Sequence, residues 1–229
     1  MDKLPTGSRI LDNMLDGGYE KDIITTIYGP AGSGKTNLCI LCAINTARSG
    51  KKVIYIDTEN SFSIDRFRQI CESINLNYAK LLNNIVFLKP ATFEEQKKTF
   101  EKLKDHINDK IGLIVFDSVA MLYRLELGKA EDVYEANREL GKQLACLKEI
   151  ASKKQIPVLI TNQVYADFND KEKVNMVGGD ILKYWSKCHI ELINEKGKRS
   201  AILRKHRSLP EKDFDFQIIN SGIKKKGWI

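Results

Sequence analysis

The chain has 229 residues, of which 42% are hydrophobic and 29% are charged, and its formal net charge is +7. This composition excludes disordered and fibrous proteins, and the length predicts a single domain, residues 1–229, with a sizeable core. The apolar stretches are too short for a signal peptide or membrane span, which predicts an intracellular, cytoplasmic protein, and the positive charge favours a polyanionic partner.

Apolar runs of strand length alternate with amphipathic stretches through roughly the first 160 residues, which is typical of a parallel α/β sheet. The predicted strands are 23–28, 53–57, 85–88, 113–117 and 158–161. The predicted helices are 36–49, about 64–74, 92–107 and 136–152.

The pattern changes after residue 185, where two strand-like runs, 189–193 and 200–204, flank a turn that contains glycine. Phe214, Phe216 and Ile218 then alternate with polar residues. These features predict a hairpin and a further antiparallel strand that extend the sheet, followed by a solvated tail with the lysines 224–226.

Residues 29–36 match the pattern G-x-x-x-x-G-K-[ST] between a predicted strand and a predicted helix. Glycines let several backbone N–H groups point inward at phosphate oxygens, and the N-terminus of the helix adds its dipole. The motif predicts binding of ATP and Mg²⁺, in which Lys35 reaches the β- and γ-phosphates and Thr36 is a magnesium ligand. The candidate nucleotide-binding residues are Gly29, Pro30, Ala31, Gly32, Ser33, Gly34, Lys35 and Thr36.

Polar side chains follow three of the predicted strands, at the sheet edge where the ligand would bind. Asp117 ends a run of four apolar residues and is the candidate second magnesium ligand. Glu59 is a candidate for orienting or deprotonating the attacking water, with Asp57 as a competitor that spacing alone does not separate from it. The amides of Asn162 and Gln163 are placed to sense a γ-phosphate.

The order of these motifs resembles the RecA/RadA recombinase family over nearly the whole chain. The resemblance is carried by Thr6-Gly7, Leu11-Asp12, the run 15–18, the run 29–36, Asp57-Thr58-Glu59, Phe62, Arg66, Asp117-Ser118, Arg124, the run 161–164, Gly178-Gly179 and the run 208–211. It implies an α/β, RecA-like P-loop NTPase core, in which helices flank a mostly parallel central sheet and the C-terminal strands are antiparallel.

The same resemblance implies roles for individual residues. Glu59, Lys35 and Gln163 would be catalytic, as water-activating base, phosphate ligand and γ-phosphate sensor, and Arg66 would stack on the adenine. Segments 124–137 and 164–177 lie where the family has its DNA-binding loops, and 208–211 where a neighbouring subunit caps the nucleotide. The candidate DNA-binding residues are Arg124, Arg138, Lys171, Lys173, Lys198, Arg199, Arg204, Lys205 and Arg207.

Full-length recombinases of this family carry an N-terminal helix-hairpin-helix domain and a subunit-joining linker, and the core here begins within the first ten residues. The segment 164–177 also places three acidic residues against Lys171 and Lys173, although a strand-exchange loop should be positively charged. Both features resemble an archaeal paralogue group of the family, which implies DNA binding, weak ATP hydrolysis and assistance to the main recombinase without strand exchange.

The partners implied are single-stranded or branched DNA, the main recombinase and a Holliday-junction nuclease, with a homodimer as one assembly. An alternative from another class is a nucleotide-gated protein-interaction module with little direct DNA binding. A small-molecule kinase would use the same phosphate loop, but it needs an arginine-rich substrate lid, and the late arginines lie in a predicted hairpin instead.

Overall fold

A computed structural model of the chain describes residues 2–128, 130–166 and 174–227. The strands are β1 (Lys3–Leu4), β2 (Tyr19–Glu20), β3 (Ile24–Tyr28), β4 (Lys52–Asp57), β5 (Ile85–Leu88), β6 (Ile111–Asp117), β7 (Val158–Asn162), β8 (Val164–Ala166), β9 (Val174–Met176), β10 (Cys188–Glu195), β11 (Lys198–Lys205), β12 (Lys212–Ile219) and β13 (Gly222–Lys225). The helices are α1 (Arg9–Met14), α2 (Lys35–Arg48), α3 (Ile64–Ser73), α4 (Tyr78–Leu82), α5 (Phe93–His106), α6 (Met121–Leu125), α7 (Ala130–Lys154) and α8 (Gly179–Trp185).

Nine strands form the central sheet, in the order β13-β12-β11-β10-β3-β7-β6-β4-β5. The six strands from β10 to β5 are parallel, and β10 to β13 form an antiparallel extension. The predicted fold class is therefore confirmed. Because β3, β7, β6 and β4 are neighbours and parallel, the polar residues at their carboxyl ends meet along one edge.

Two hydrophobic cores cover the two faces of the sheet, with α1 to α4 on one face and α5 to α8 on the other. Alternate residues of β4 point to opposite cores, with Val53 and Tyr55 on one side and Ile54 and Ile56 on the other. A continuous apolar run is thus required of a strand that is covered on both faces. Each fully buried aliphatic or aromatic side chain contributes about 1.5–3 kcal/mol to folding.

Thr92 and Glu95 cap the start of helix α5. The Thr92 hydroxyl accepts a hydrogen bond from Glu95 N at 3.1 Å. The Glu95 carboxylate reaches back to accept one from Ala91 N at 2.8 Å, one residue before the cap. Two backbone donors at the start of the helix are therefore satisfied by side chains.

Several boundaries and elements differ from the sequence predictions. Helix α7 begins at Ala130 rather than at residue 136, so much of the segment 124–137 is helical instead of a loop. Lys224 and Lys225 lie in β13, paired with β12, and the prediction of a solvated tail is wrong for them. The second candidate DNA segment contains the β8–β9 hairpin, while Lys171 and Lys173 lie outside the described residues.

In the described part of the chain, no helix has both the length and the apolar character needed to cross a membrane.

Candidate functional site

The phosphate loop connects β3 to α2 with a backbone that requires glycine. Gly34 caps α2 in the left-handed region, with φ of 110°, and Gly29 has φ of 154°. A Cβ atom at Gly29 would lie 2.2 Å from the carbonyl oxygen of Leu192 on β10, a distance that no real contact shows. The loop is therefore held tightly against the sheet extension, and side chains are excluded at these positions.

The Lys35 side chain curls over the phosphate loop. Its Nζ donates to the carbonyl oxygens of Gly29, at 2.8 Å, and Pro30, at 2.9 Å. Burial lowers the pKa of Lys35, while the Glu59 and Asp117 carboxylates act in the opposite direction. A bound triphosphate would offer this ammonium group stronger, charged acceptors than the two carbonyls.

Asp117, at the carboxyl end of β6, is the centre of a cluster of hydroxyl groups. Its Oδ2 accepts hydrogen bonds from Thr36 at 2.8 Å, Tyr55 at 2.8 Å and Ser61 at 3.1 Å, and its Oδ1 accepts one from Thr161. Burial, and then the Asp117 carboxylate, raise the pKa of Tyr55, which keeps its hydroxyl protonated as a donor. The two candidate magnesium ligands, Thr36 and Asp117, are thus in direct contact.

The oxygen atoms of Thr36 and Asp117 are the hard ligands that Mg²⁺ prefers. Within the described residues no group of three or more His, Cys, Asp or Glu side chains could hold a metal by itself. At nucleotide sites Mg²⁺ is held by one or two protein oxygens together with phosphates and water, and Thr36 and Asp117 supply two such oxygens. The residues present therefore fit a nucleotide-bound magnesium ion.

Glu59 and Gln163 meet although they are far apart in sequence. Gln163 Nε2 donates to both carboxylate oxygens of Glu59, at 3.1 and 3.3 Å, and the Ser118 hydroxyl donates to Oε1 at 2.5 Å. The predicted base and the predicted sensor are therefore hydrogen-bonded to each other at the ligand edge. If Gln163 moved towards a γ-phosphate, the Glu59 carboxylate would lose one of its two hydrogen-bond donors.

Asp57, the competitor of Glu59, has a different environment. It is buried, and its two oxygens accept hydrogen bonds from the backbone N–H groups of Ser61, at 3.0 Å, and Phe62, at 3.1 Å. These bonds shape the turn after β4, which in turn places the Ser61 hydroxyl on Asp117. The geometry favours Glu59 over Asp57 for contact with a water molecule.

Replacing Asp57 with asparagine is expected to lower the free energy of unfolding by about 1–2 kcal/mol, because the amide keeps one acceptor and turns its NH₂ group towards a backbone donor. Urea denaturation should show a lower midpoint at an unchanged m value. Asp105→Asn, an exposed change on α5, is the matched control. Equal midpoints for Asp57→Asn and the control would contradict this assignment.

Arg66, the candidate adenine-stacking residue, joins α3 to the C-terminal strands. Its guanidinium donates to the carbonyl oxygens of Ile219 at 2.7 Å, Gly222 at 3.1 Å and Asn220 at 3.3 Å, and its Nε donates to Asn37 at 2.8 Å. These bonds use the edge of the planar group. An adenine ring could therefore contact only the face of the Arg66 guanidinium group, which is the contact that the stacking prediction requires.

Asn162 and Gln163 also connect the ligand edge to the β8–β9 hairpin. Asn162 Nδ2 donates to the carbonyl oxygen of Val177 at 2.8 Å, and Val177 N donates to the carbonyl oxygen of Gln163 at 3.2 Å. The end of β7 is therefore bonded to the end of the second candidate DNA segment. A shift at Gln163 would be transmitted directly to that hairpin.

Most of the candidate DNA-binding residues that the structure describes are engaged within the chain. Arg204 contacts Glu191 and Glu211, Arg207 contacts Glu20 and Asp22, Lys198 contacts Asp215, Arg138 contacts Glu135, Lys205 contacts the carbonyl oxygens of Lys183 and Ser186, and Arg199 contacts the carbonyl oxygen of Gly32. Arg124 lies exposed on α6. The late arginines and lysines do not form the free basic strip that their sequence positions suggested.

Tyr123, the residue before Arg124, is buried in the core, and its hydroxyl donates a hydrogen bond to Asn137 at 2.6 Å, so its ring is packed inside the protein.

Sequence reasoning assigned no role to the supporting side chains of the site, namely Tyr55, Ser61, Ser118 and Thr161 around the carboxylates and Asn194 beside the phosphate loop. Ser118 and Thr161 were among the residues that carry the family resemblance, so their hydroxyls at strand ends were an available signal. Asn194 and Tyr55 offered no such local signal, because their partners are distant in sequence.

Comparisons with known proteins find matches over nearly the whole chain. A family model described as Rad51 matches residues 1–226. A protein of Methanobrevibacter smithii named "DNA repair and recombination protein RadB" is 43% identical over 229 residues, which cover 96% of this chain and 95% of that protein. The protein of the same name from Methanocaldococcus jannaschii is 43% identical over 215 residues, covering 93% and 98%. A solved structure titled "Crystal structure of the RadB recombinase" has a TM-score of 0.82 and 35% identity, covering 96% and 98%.

Proposed function

This chain belongs to the Rad51 family, with RadB proteins as its relatives, and from that premise we propose that it is an ATP- and DNA-binding accessory protein of homologous recombination and DNA repair. It hydrolyses ATP weakly, performs no strand exchange of its own, and assists or regulates the main recombinase or junction processing. One nine-stranded sheet contains β3 to β7 and β10 to β13, which supports one RecA-like ATPase domain over the chain.

The observation that carries this proposal is a path of hydrogen bonds and chain neighbours from the phosphate loop to a candidate DNA segment. Thr36 donates a hydrogen bond to Asp117, and Ser118, the next residue in the chain, donates one to Glu59. The side chain of Gln163 also donates to Glu59, and its backbone carbonyl accepts a hydrogen bond from Val177 N. Occupancy of the nucleotide site therefore has a direct route to the β8–β9 hairpin. Such a route suits a protein whose DNA or protein contacts depend on ATP.

The environment of Glu59 supports slow hydrolysis. A carboxylate that already accepts hydrogen bonds from Ser118 and Gln163 has less free capacity to orient a water molecule or take its proton. Faster turnover requires Gln163 to leave the carboxylate for the γ-phosphate. Bound Mg²⁺ would supply charge neutralisation of the phosphates, while Lys35 and the loop amides hold and orient them.

DNA binding is supported by the family, by the net charge of +7 and by one exposed residue in each of the two candidate segments. Arg124 on α6 and Tyr165 on β8 are exposed, and a tyrosine of this kind can stack on an unpaired base. Arg204 on β11 and Arg207 in the turn after it are paired with carboxylates. We therefore expect few phosphate contacts and modest affinity.

Single-stranded DNA binding is expected to weaken by about fiftyfold between about 50 and about 200 mM salt, which corresponds to about four phosphate contacts. Fluorescence anisotropy with a labelled oligonucleotide measures this slope. Arg124→Ala should reduce the slope by the amount that corresponds to about one phosphate contact. Arg138 pairs with Glu135, so Arg138→Ala is the matched control and should leave the slope unchanged.

The alternative function, a nucleotide-gated protein-interaction module, predicts a different result in the same experiment. DNA affinity would be weak and independent of Arg124, while crosslinking to a recombinase filament would require ATP. Robust DNA-stimulated hydrolysis together with strand exchange would overturn both accessory functions in favour of a true recombinase.

A further inference from the structure

The tip of the β10–β11 hairpin lies against the phosphate loop of the same chain. Asn194 on β10 and Arg199 on β11 are directly opposite each other in the ladder. Both donate to one acceptor, the carbonyl oxygen of Gly32, with Asn194 Nδ2 at 3.4 Å and Arg199 Nε at 3.2 Å. Two side chains from the sheet extension therefore converge on a single peptide of the loop.

The contact is part of a row that crosses the antiparallel strands. Phe216 on β12 is opposite Arg199, and its ring lies next to the start of α2, 3.8 Å from where a Cβ atom of Gly34 would be. A Cβ atom at Gly32 would lie 3.7 Å from Asn194 Nδ2. The row thus supports the loop from Gly32 to Gly34, on the side of the sheet that carries α2.

Arg199 differs from the neighbouring basic residues in what its charge contacts. Lys198 pairs with Asp215 at 3.2 Å, and Arg204 pairs with Glu191 and Glu211. Among the described residues Arg199 forms an ion pair with no carboxylate, and its partner is the neutral carbonyl of Gly32. An uncompensated guanidinium beside a loop that receives a triphosphate is placed to favour that ligand.

The peptide that Arg199 holds is also fixed on its other side. Ser33 N, which belongs to the same peptide group as the Gly32 carbonyl, donates to the carbonyl oxygen of Pro30 at 3.3 Å. The peptide plane is therefore set by bonds at both ends. If the hydrogen bond from Arg199 to the Gly32 carbonyl were lost, this peptide could rotate more freely. The N–H groups of the loop would then be less well aligned for phosphate oxygens.

We propose that Arg199, aligned by Asn194, is a positioning residue that braces the phosphate loop of its own chain for the triphosphate. It acts through the Gly32 peptide and contributes positive charge to the rim of the site. This assignment replaces the sequence-based prediction that Arg199 contacts DNA, and it rests on the proposed nucleotide binding.

Arg199→Ala is expected to weaken Mg-ATP binding by about tenfold, since a hydrogen bond from a charged donor and its charge are both lost. Arg199→Lys keeps a donor and the charge and should restore affinity to within about threefold of the wild-type chain. Lys198→Ala, the matched control, removes the same charge from the same strand without a contact to the loop and should bind normally. Titration calorimetry gives the affinities, and the melting temperature without nucleotide should be the same for all variants.

The DNA assay separates the two roles of Arg199. Arg199→Ala should leave the salt slope of DNA binding unchanged, and a slope lower by about one contact would overturn the proposal. Normal Mg-ATP affinity of Arg199→Ala would overturn it too, as would an equal loss in Lys198→Ala. If Arg199→Ala has a lower melting temperature than the wild-type chain, Asn194→Ala is the variant to use instead. Its affinity for Mg-ATP should be lower by about threefold, and a normal affinity would overturn the proposal. A wild-type chain that binds no Mg-ATP would instead overturn the proposed function itself.

Discussion

Replacing Lys35 with alanine is expected to lower the affinity for Mg-ATP by about a hundredfold or more. The ammonium group would exchange its bonds to the Gly29 and Pro30 carbonyls for bonds to phosphate oxygens. A hydrogen bond between charged partners contributes about 1.5–3 kcal/mol, and each 1.4 kcal/mol is a factor of about ten in affinity. Two such bonds account for the expected loss, which titration calorimetry with Mg-ATP would measure.

The fold should survive this change. Burial lowers the pKa of Lys35, so the desolvation of the ammonium group opposes the gain from its two hydrogen bonds to the Gly29 and Pro30 carbonyls. Because both effects disappear together in the alanine variant, the melting temperature without nucleotide should stay close to that of the wild-type chain. Lys80→Ala, an exposed change on α4, is the matched control and should bind Mg-ATP normally. Retained binding in folded Lys35→Ala would contradict the assigned site.

Glu59→Gln is expected to reduce ATP hydrolysis by about a hundredfold or more while leaving Mg-ATP affinity nearly unchanged. The amide is similar in shape and can still accept the hydrogen bond from Ser118, but it cannot take a proton from water. General base catalysis contributes about 10²–10⁴-fold to such a reaction. Phosphate release in single-turnover experiments is the appropriate measurement, because the wild-type rate is expected to be slow.

The matched control for this second change is Glu101→Gln, the same substitution at an exposed position of α5. It should hydrolyse ATP at the wild-type rate. Hydrolysis by Glu59→Gln at the wild-type rate would place the base elsewhere, whereas loss of Mg-ATP binding would show that Glu59 contributes to affinity rather than to the chemical step.

The parallel core was predictable from the sequence because its signals are local. A strand buried on both faces is mostly apolar, and the runs predicted for β3 to β7 end within a few residues of the observed strands. The small elements β1, β2, β8, β9, β13, α1, α4, α6 and α8 were not predicted. They are too short to show a hydrophobic period, and their stability comes from the larger elements beside them.

The partners within the site were less predictable, and the pair Asp57 and Glu59 shows why. Both carboxylates follow β4 and both are of the right chemical type, so the sequence left the choice open. The fold turns Asp57 onto the backbone of Ser61 and Phe62, and it turns Glu59 towards Gln163, 104 residues away. Which side chain faces the ligand depends on a turn conformation that spacing does not encode.

The basic residues also show that the sequence does not reveal which groups a side chain contacts. Their number and their concentration late in the chain suggested a DNA-binding strip, yet Arg204 and Arg207 are paired with carboxylates, and Arg199 contacts a loop that lies 167 residues earlier. A charge has the same sign wherever it lies, but its effect depends on the groups within a few ångströms.

By itself the sequence determined the ATP-binding loop, the parallel α/β core and the family. Each of these depends on short runs of contiguous residues, and few other residue types could meet the backbone and burial requirements at those positions. Only the tertiary structure decided which carboxylate contacts Gln163, which basic side chains pair with carboxylates and that the β10–β11 hairpin contacts the phosphate loop. These contacts join segments that are more than a hundred residues apart in the chain. Their geometry depends on the order of the strands in the sheet, and local sequence patterns do not specify that order.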